Sequence, residues 1–188
     1  MKIKFILVAL AGMLMVYSGA EAQSNTKSKR VLVAYFSHSG NTRVIAQYIQ
    51  EISGGDLFEI VPVKQYPTDY NSVVDQAKKE INAGYKPALK SKLASIDRYD
   101  VIFIGSPNWW STIAPPVSTF LSSFNFSGKT IIPFITHEGS RMGRSVIDIK
   151  KLCPQSTVLE GYACRGSNVK DAHDEVANWL QKINMVKK

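Results

Sequence analysis

The amino-acid sequence predicts an α/β fold of three layers, in which a doubly wound, five-stranded parallel sheet lies between two layers of helices. Five short apolar runs alternate with segments of helical periodicity, and short connections join them. This alternation is typical of a parallel sheet that helices cover on both faces. The third run, V-I-F-I-G at 101–105, has no polar alternation, which indicates a strand that is buried on both faces.

The strands are recognised by their apolar runs and by the turn residues beside them. Gly54 and Gly55 precede the second run, and Gly128 closes the turn before the fourth. The predicted strands are 30–36, 57–63, 101–105, 130–136 and 157–163.

The helices are recognised by apolar residues at helical spacing. Pro115 and Pro116 stand where the third helix begins, a position that favours proline because first-turn N–H groups have no intrahelical acceptor. The predicted helices are 42–53, 69–83, 115–124, 142–152 and 169–184. Five strand–helix units in a chain of this length fit an open sheet better than a closed barrel.

The amino terminus has the pattern of a secretory signal peptide. Lys2 and Lys4 precede an apolar run over 5–16, and Ala20-Glu21-Ala22 is a small-x-small cleavage site. We therefore expect a signal peptide at 1–22, a polar leader at 23–29 and a folded domain at 30–188. An uncleaved anchor is the alternative, but the apolar run is short for a membrane span. The expected product is an exported, periplasmic protein without stable membrane insertion.

Charge and cysteine content narrow the function classes. The net charge is +8, yet the basic residues are scattered and are not interleaved with aromatic residues, so nucleic acid is not an expected partner. Cys153 and Cys164 have no metal-binding spacing, and the three histidines do not complete such a pattern. We expect no metal site. A disulfide and two free thiols both remain open for the cysteines.

The run S-H-S-G-N-T-R follows the first strand and leads into the first helix. A hydroxyl-rich loop at a helix start presents N–H groups and the positive helix end to an anion. The loop lacks both the G-x-x-x-x-G-K-[ST] and the G-x-G-x-x-G patterns, which disfavours nucleoside triphosphates and dinucleotides. A serine-rich turn with Thr42 as helix N-cap is the alternative interpretation. The candidate ligand-binding residues in this loop are Ser37, His38, Ser39, Gly40, Asn41 and Thr42.

The loop after the third strand contains adjacent tryptophans. Their side chains diverge, so both are difficult to bury, and beside a phosphate loop they suggest a flat aromatic ligand. The alternative places one in the core and the other on helix 115–124. The candidate residues in this loop are Pro107, Asn108, Trp109 and Trp110.

The loop after the fourth strand runs from 136 to 143, and its glycines allow a ligand to approach the backbone closely. Ligands of doubly wound sheets bind at the carboxyl ends of the strands, so we expect all three loops to form one site. The candidate residues in this third loop are Thr136, His137, Glu138, Gly139 and Ser140.

With these three loops, residues 30–184 resemble the flavodoxin family in its short form, since no long insertion divides the fifth strand. The family pattern [ST]-x-[ST]-G-x-T is matched by Ser37, Ser39, Gly40 and Thr42, and G-S-P-N-W-W resembles a branch of bacterial flavodoxin-like proteins. The resemblance implies FMN as the cofactor, with its phosphate in the first loop and its ring between the other two.

Two features differ from the flavodoxins that act purely as electron carriers. Those proteins usually place a tyrosine in the second flavin loop, where His137 is the aromatic candidate here. They are also usually acidic and cytoplasmic, whereas this chain is basic and has the pattern of an export signal.

We expect an exported FMN protein that transfers electrons to a redox partner protein or to a small quinone-like acceptor. An FMN-dependent quinone or NAD(P)H oxidoreductase is the first alternative, and a binding module without cofactor is the second. The intact phosphate loop argues against the second. We identify no acid, base or nucleophile for hydrolysis.

Overall fold

A computed structural model describes residues 29–187. Its strands and helices follow the predicted alternation. The strands are β1 (Val31–Tyr35), β2 (Asp56–Glu59), β3 (Val101–Trp109), β4 (Thr112–Ile113), β5 (Thr130–His137), β6 (Thr157–Val158) and β7 (Tyr162–Arg165). The helices are α1 (Asn41–Ser53), α2 (Tyr70–Asn82), α3 (Pro115–Ser122), α4 (Ser145–Leu152) and α5 (His173–Lys182), with a 3₁₀ helix at Gly166–Asp171.

The sheet is parallel except for one short strand. Its order is β2-β1-β3-β5-β6, β7 also pairs with β5, and β4 pairs with β3 in antiparallel fashion. Helices α1 and α5 pack on one face, whereas α2, α3 and α4 pack on the other. This three-layer arrangement confirms the predicted α/β fold, and the complete burial of 101–104 confirms that the third strand is covered on both faces. Among residues 29–187, no helix has both the length and the apolar character needed to cross a membrane.

The predicted fifth strand, 157–163, is wrong as a single element. It is divided into β6 and β7, which pair with successive parts of β5, at Thr157↔Thr130 and Tyr162↔Phe134. The interruption lies opposite Pro133, which has no N–H to donate to a neighbouring strand. Gly161 approaches there so closely that a Cβ would lie 2.1 Å from the Pro133 carbonyl oxygen.

Other boundaries also differ from the prediction. β3 continues to Trp109, four residues beyond the expected end, because it forms a hairpin with β4. β2 ends at Glu59 rather than 63. Helix α4 begins at Ser145 rather than 142, and α5 begins at His173 rather than 169 because the 3₁₀ helix precedes it. The expected signal peptide and the leader up to residue 28 lie outside the described residues.

The two cysteines are on opposite faces of the sheet. Cys153 belongs to the apolar cluster beneath α2, α3 and α4, whereas Cys164 belongs to the cluster beneath α1 and α5. Both are free and buried, which excludes a disulfide between them in the folded protein. Burial raises the pKa of the Cys153 thiol to about 11, so its reactive thiolate form is disfavoured.

Candidate functional site

A cavity of about 810 Å³ opens at the carboxyl ends of β1, β3 and β5. It brings together residues from all three predicted loops, as the topology requires. Twelve of the fifteen predicted residues line it: His38, Ser39, Asn41, Pro107, Asn108, Trp109, Trp110, Thr136, His137, Glu138, Gly139 and Ser140. Ser37, Gly40 and Thr42 lie in the first loop but do not line the cavity.

The first loop joins β1 to α1 and exposes neutral donors. Gly40 is the N-cap residue, with φ of 95° in the left-handed region that glycine adopts readily. The hydroxyl oxygen of Ser37 accepts a hydrogen bond from the Arg43 N–H at 3.3 Å, which leaves the hydroxyl proton of Ser37 available. The interpretation of Thr42 as N-cap is wrong, because the helix begins one residue earlier, at Asn41.

Thr42 instead stabilises the base of the site. Its buried hydroxyl forms a hydrogen bond of 2.8 Å with the buried hydroxyl of Thr136, at the end of β5. One of the two hydroxyls donates, so the proton of the other is not used in this bond. The bond holds the first and third loops together.

The arginine at the end of the first loop is paired with a residue outside the loop. Arg43 forms an ion pair with Glu59 of β2, in which its guanidinium donates a hydrogen bond to the carboxylate. This hydrogen bond is the main reason that the pKa of Arg43 is raised. Attraction of an anion to the first loop therefore comes from hydroxyl groups and from the N–H groups at the start of α1.

The second loop is the β3–β4 hairpin. Trp110 and Ser111 form its turn with φ of 51° and 63°, and positive φ at both central residues is the pattern of a type I′ turn. Asn-Gly usually occupies such turns, so a tryptophan and a serine there carry backbone strain.

The two tryptophans diverge, as their adjacency predicted. The half-buried Trp109 ring makes edge contacts with Phe36 and Tyr66 at centroid distances of 5.5 and 4.9 Å. Trp110 is 46% exposed, and its indole N–H donates to the Val74 carbonyl at 3.0 Å. The alternative that placed one tryptophan on helix 115–124 is wrong, because Trp110 packs on α2.

The third loop is fastened to the hairpin by its backbone. The side-chain amide of Asn108 donates to the backbone carbonyl of Arg141 at 2.8 Å. The backbone N–H of Arg144 donates to the Ser111 carbonyl at 2.7 Å. Gly143 has φ of 51°, and a Cβ on it would lie 2.4 Å from the Ser111 carbonyl oxygen. Only glycine satisfies both conditions.

Two polar atoms are buried at the cavity without a hydrogen-bond partner in the described chain: Asn108 Oδ1 and His137 Nδ1. Burial lowers the pKa of His137, and Arg141 and Arg165 lower it further, against the opposing effect of Glu138. The imidazole is therefore neutral at pH 7, with one nitrogen as donor and the other as acceptor. Buried polar atoms are normally paired, so a ligand group that reached either atom would supply a hydrogen bond that the described chain does not.

Gly166 is a site residue that the sequence analysis missed. It follows β7, and the Oε1 atom of Glu138 and the Nδ2 atom of Asn41 both lie against it, at 2.2 and 2.5 Å from where a Cβ would be. A side chain at this position would displace the ends of the Glu138 and Asn41 side chains, which belong to the third and first loops. A glycine just after the fifth strand was the available signal.

Helix α2 and the residues around it form a wall of the cavity that was also missed. The cavity residues in this region are Thr68, Tyr70, Val73, Val74 and Ala77, and Ser111 of the hairpin turn also lines the cavity. The apolar residues at helical spacing indicate a core-facing helix, and nothing in their pattern shows that the same face borders the cavity. We call Tyr70, Val73, Val74 and Ala77, together with Trp110 of the hairpin, the α2 wall, and the other cavity residues of the three loops the loop wall.

Within residues 29–187, no cluster of three or more histidine, cysteine or acidic side chains could hold a metal ion. The polar and aromatic groups that line the cavity are hydroxyls, amides, aromatic rings, the carboxylate of Glu138 and the imidazoles of His38 and His137.

A family model and two solved structures that match this chain are described as flavodoxins or flavoproteins. The sequence model of the family described as Flavodoxin matches residues 30–183. A candidate flavoprotein from Bacteroides uniformis is 32% identical with a TM-score of 0.74, and the alignment covers 82% of this chain and 99% of that one. A flavoprotein from Lactobacillus acidophilus, solved in complex with FMN, is 28% identical with a TM-score of 0.65, covering 76% and 97%. No protein with a curated description matches.

Proposed function

We propose that this chain, which belongs to the flavodoxin family, binds FMN in the cavity at the carboxyl ends of β1, β3 and β5 and transfers electrons through it. The observation that carries the proposal is the union of an anion-binding loop and an aromatic hairpin in one cavity. The FMN complex of the Lactobacillus acidophilus relative supports the choice of cofactor. When bound, FMN would supply the redox chemistry, and the protein would supply binding, orientation and electrostatics.

The first loop fits a terminal phosphate. Ser37 and Ser39 offer hydroxyl protons, and the start of α1 offers N–H groups at the positive end of the helix dipole. Since Arg43 is paired with Glu59, these neutral donors would hold the phosphate.

The hairpin and the third loop fit a flat heteroaromatic ring. Trp109 and Trp110 supply aromatic surface, while Asn108 Oδ1 and His137 Nδ1 supply hydrogen-bonding positions that lack partners within the described chain. The two atoms are the protein's means of orienting a ring with polar edges.

Export to the periplasm remains part of the proposal and is based on the sequence of residues 1–22. The partner outside the cytoplasm would be a redox protein or a small quinone-like acceptor. A binding module without cofactor is disfavoured because the first loop retains the hydroxyl and N–H groups that fit a phosphate.

Ser39→Ala tests the phosphate assignment. Ser39 is exposed, and its hydroxyl makes no hydrogen bond within residues 29–187, so the variant should fold as the wild type does. Loss of one donor to a charged acceptor costs about 1.5–3 kcal/mol, which weakens FMN binding by roughly 10- to 150-fold. Riboflavin lacks the phosphate and should bind with unchanged affinity.

Fluorescence titration of the apoprotein with each ligand measures both affinities. Ser127→Ala is the matched control, because this exposed serine precedes β5 at the opposite edge of the sheet. Equal losses for FMN and riboflavin would show that the first loop does not bind the phosphate.

A further inference from the structure

The Trp109 ring is enclosed by aromatic rings from three other segments of the chain. Phe36, His38 and Tyr66 meet it edge to face, at centroid distances of 5.5, 5.8 and 4.9 Å. Edge-to-face contact is a geometry that aromatic pairs prefer, and it adds to the stabilisation that burial alone gives. The orientation of the Trp109 ring is therefore set by neighbours outside the hairpin that carries it.

Tyr66 makes the shortest of these contacts, although it is not among the described residues that line the cavity. It lies between β2 and α2 in a segment without helix or strand, and it is 7% exposed. Its hydroxyl donates to the carboxylate of Glu80 on α2, and the Gln76 amide donates to the other oxygen of that carboxylate at 2.7 Å. Tyr66 is thus anchored to α2 at one end and contacts Trp109 with its ring.

Tyr66 keeps its proton in this environment. Burial raises the pKa of its hydroxyl, and the hydrogen bond to Glu80 and the negative charge of Glu80 raise it further. The tyrosine therefore stays a neutral donor, and its bond to the carboxylate is of the stronger, charge-assisted kind.

The residue after Tyr66 reaches Trp109 by a second route. The Pro67 carbonyl lies 2.8 Å from His38 Nε2, and because a carbonyl can only accept, this nitrogen carries the proton and donates it. His38 belongs to the first loop and borders the cavity. Two consecutive residues, Tyr66 and Pro67, therefore hold both rings that connect the first loop and α2 with Trp109.

We propose that Tyr66 is a positioning residue, which fixes the orientation of the Trp109 ring and, through it, the orientation of the flavin ring. This inference rests on the proposed function, since it takes Trp109 as part of the aromatic surface that contacts the flavin. Tyr66 touches the tryptophan from the core side, so its effect on the ligand passes through Trp109. Removal of the Tyr66 ring would leave Trp109 free to change its side-chain rotamer.

The test removes the Tyr66 hydroxyl and the Tyr66 ring separately. Tyr66→Phe keeps the ring edge beside Trp109, whereas Tyr66→Leu removes it. Each purified variant is titrated with FMN and with riboflavin, and flavin fluorescence and visible circular dichroism report the surroundings of the bound ring. We expect Tyr66→Leu to weaken both ligands equally, by about two- to tenfold, and to change the dichroism of the bound flavin. Tyr66→Phe should stay within twofold of wild type.

Tyr99→Leu is the matched control. Tyr99 is 2% exposed, belongs to the same apolar cluster as Tyr66 and donates its hydroxyl to the carboxylate of Asp56. Its ring is covered by the guanidinium of Arg98 at 4.8 Å, and it does not line the cavity. This variant should lose thermal stability, as Tyr66→Leu does, and keep the wild-type flavin spectra.

Thermal unfolding verifies that each variant is folded, and Tyr66→Met, which also removes the ring but loses less packing volume, decides the matter if Tyr66→Leu is not folded. Three results would overturn the inference: wild-type spectra and affinities without the Tyr66 ring, equal spectral changes in the Tyr66 and Tyr99 variants, or a loss of affinity for FMN alone. The last would mean that Tyr66 acts on the phosphate and not on the flavin ring. Each of these leaves the proposed function standing, because only a failure of FMN to bind the wild-type protein would contradict that function.

Discussion

The loop wall consists of segments that leave the carboxyl ends of β1, β3 and β5, whereas most of the α2 wall comes from one helix packed across the same edge of the sheet. Hydrogen bonds hold the loop wall together, from Thr42 to Thr136 beneath it and from Asn108 to Arg141 across it. The α2 wall depends on apolar packing, and a single indole hydrogen bond to Val74 connects it to the hairpin.

This difference shows which part of the site is sensitive to backbone geometry. Hydrogen bonds are directional, and residues with a left-handed backbone conformation tolerate little change in φ and ψ. Small shifts of the backbone in the loop wall should therefore lower the stability of the protein. Apolar contacts depend less on direction, so substitutions at the exposed residues Tyr70 and Trp110 should change ligand preference more than stability, whereas Val73 and Ala77 are buried in the core.

The largest effect is expected for Gly143→Ala, which would push the third loop away from the hairpin. The left-handed φ costs an alanine about 1–2 kcal/mol, and relief of the overlap with the Ser111 carbonyl costs about 1–3 kcal/mol more. Chemical denaturation should therefore show a clear loss of unfolding free energy, together with weaker FMN binding.

Gly139→Ala is the matched control in the same loop, because a Cβ at position 139 would meet no atom within 4 Å. Similar stabilities for the two alanine variants would show that the hairpin and the third loop are not held together by this backbone contact.

A smaller effect is expected at the hydroxyl pair beneath the loop wall. Thr42→Val or Thr136→Val alone leaves the other buried hydroxyl without its partner, at a cost of about 1–3 kcal/mol. The double replacement removes both polar groups and should cost much less than the sum of the two single variants. A double-mutant cycle of unfolding free energies measures this coupling, and additive losses would contradict it.

The smallest effect is a pH dependence at His137. Its folded-state pKa is lowered below the ordinary value of 6.5, so the folded protein binds fewer protons at this residue than the unfolded chain does. The contribution of the neutral imidazole is fully present above pH 6.5 and is lost as the pH falls through the folded-state pKa. His137→Asn should therefore flatten the decline of stability with falling pH below 6.5.

Unfolding free energies of wild type and His137→Asn at matched pH values from 8 to 5 provide the measurement. Parallel pH profiles of stability for the two proteins would show that burial and the charges of Arg141, Arg165 and Glu138 do not change the pKa of His137. Added salt should reduce only the part of the effect that these exposed charges cause.

The loop wall was predictable because of the periodicity of the sequence. Parallel strands have their carboxyl ends at the same edge, so recognising the first, third and fourth predicted strands was enough to bring Ser39, Trp109 and His137 together. The divergence of the two tryptophans followed from their adjacency alone.

The errors of prediction have a common cause in long-range geometry. The division of the fifth strand depends on its position opposite Pro133 of a different strand. The hairpin places non-glycine residues at positive φ, against local preference, because Arg144 and Val74 bind the turn from elsewhere in the chain. Neither interaction is encoded within the segment that it changes.

The sequence by itself determined the α/β class, the parallel sheet and the three loops of the loop wall, because local periodicity and strand direction are sufficient for these. Only the tertiary structure decided that Val73, Val74 and Ala77 border the cavity, that Gly166 lies between Glu138 and Asn41, and that the two cysteines are separated by the sheet. The physical reason is that helical periodicity defines an apolar face, whereas the partner of that face, core or ligand, is set by how distant segments pack.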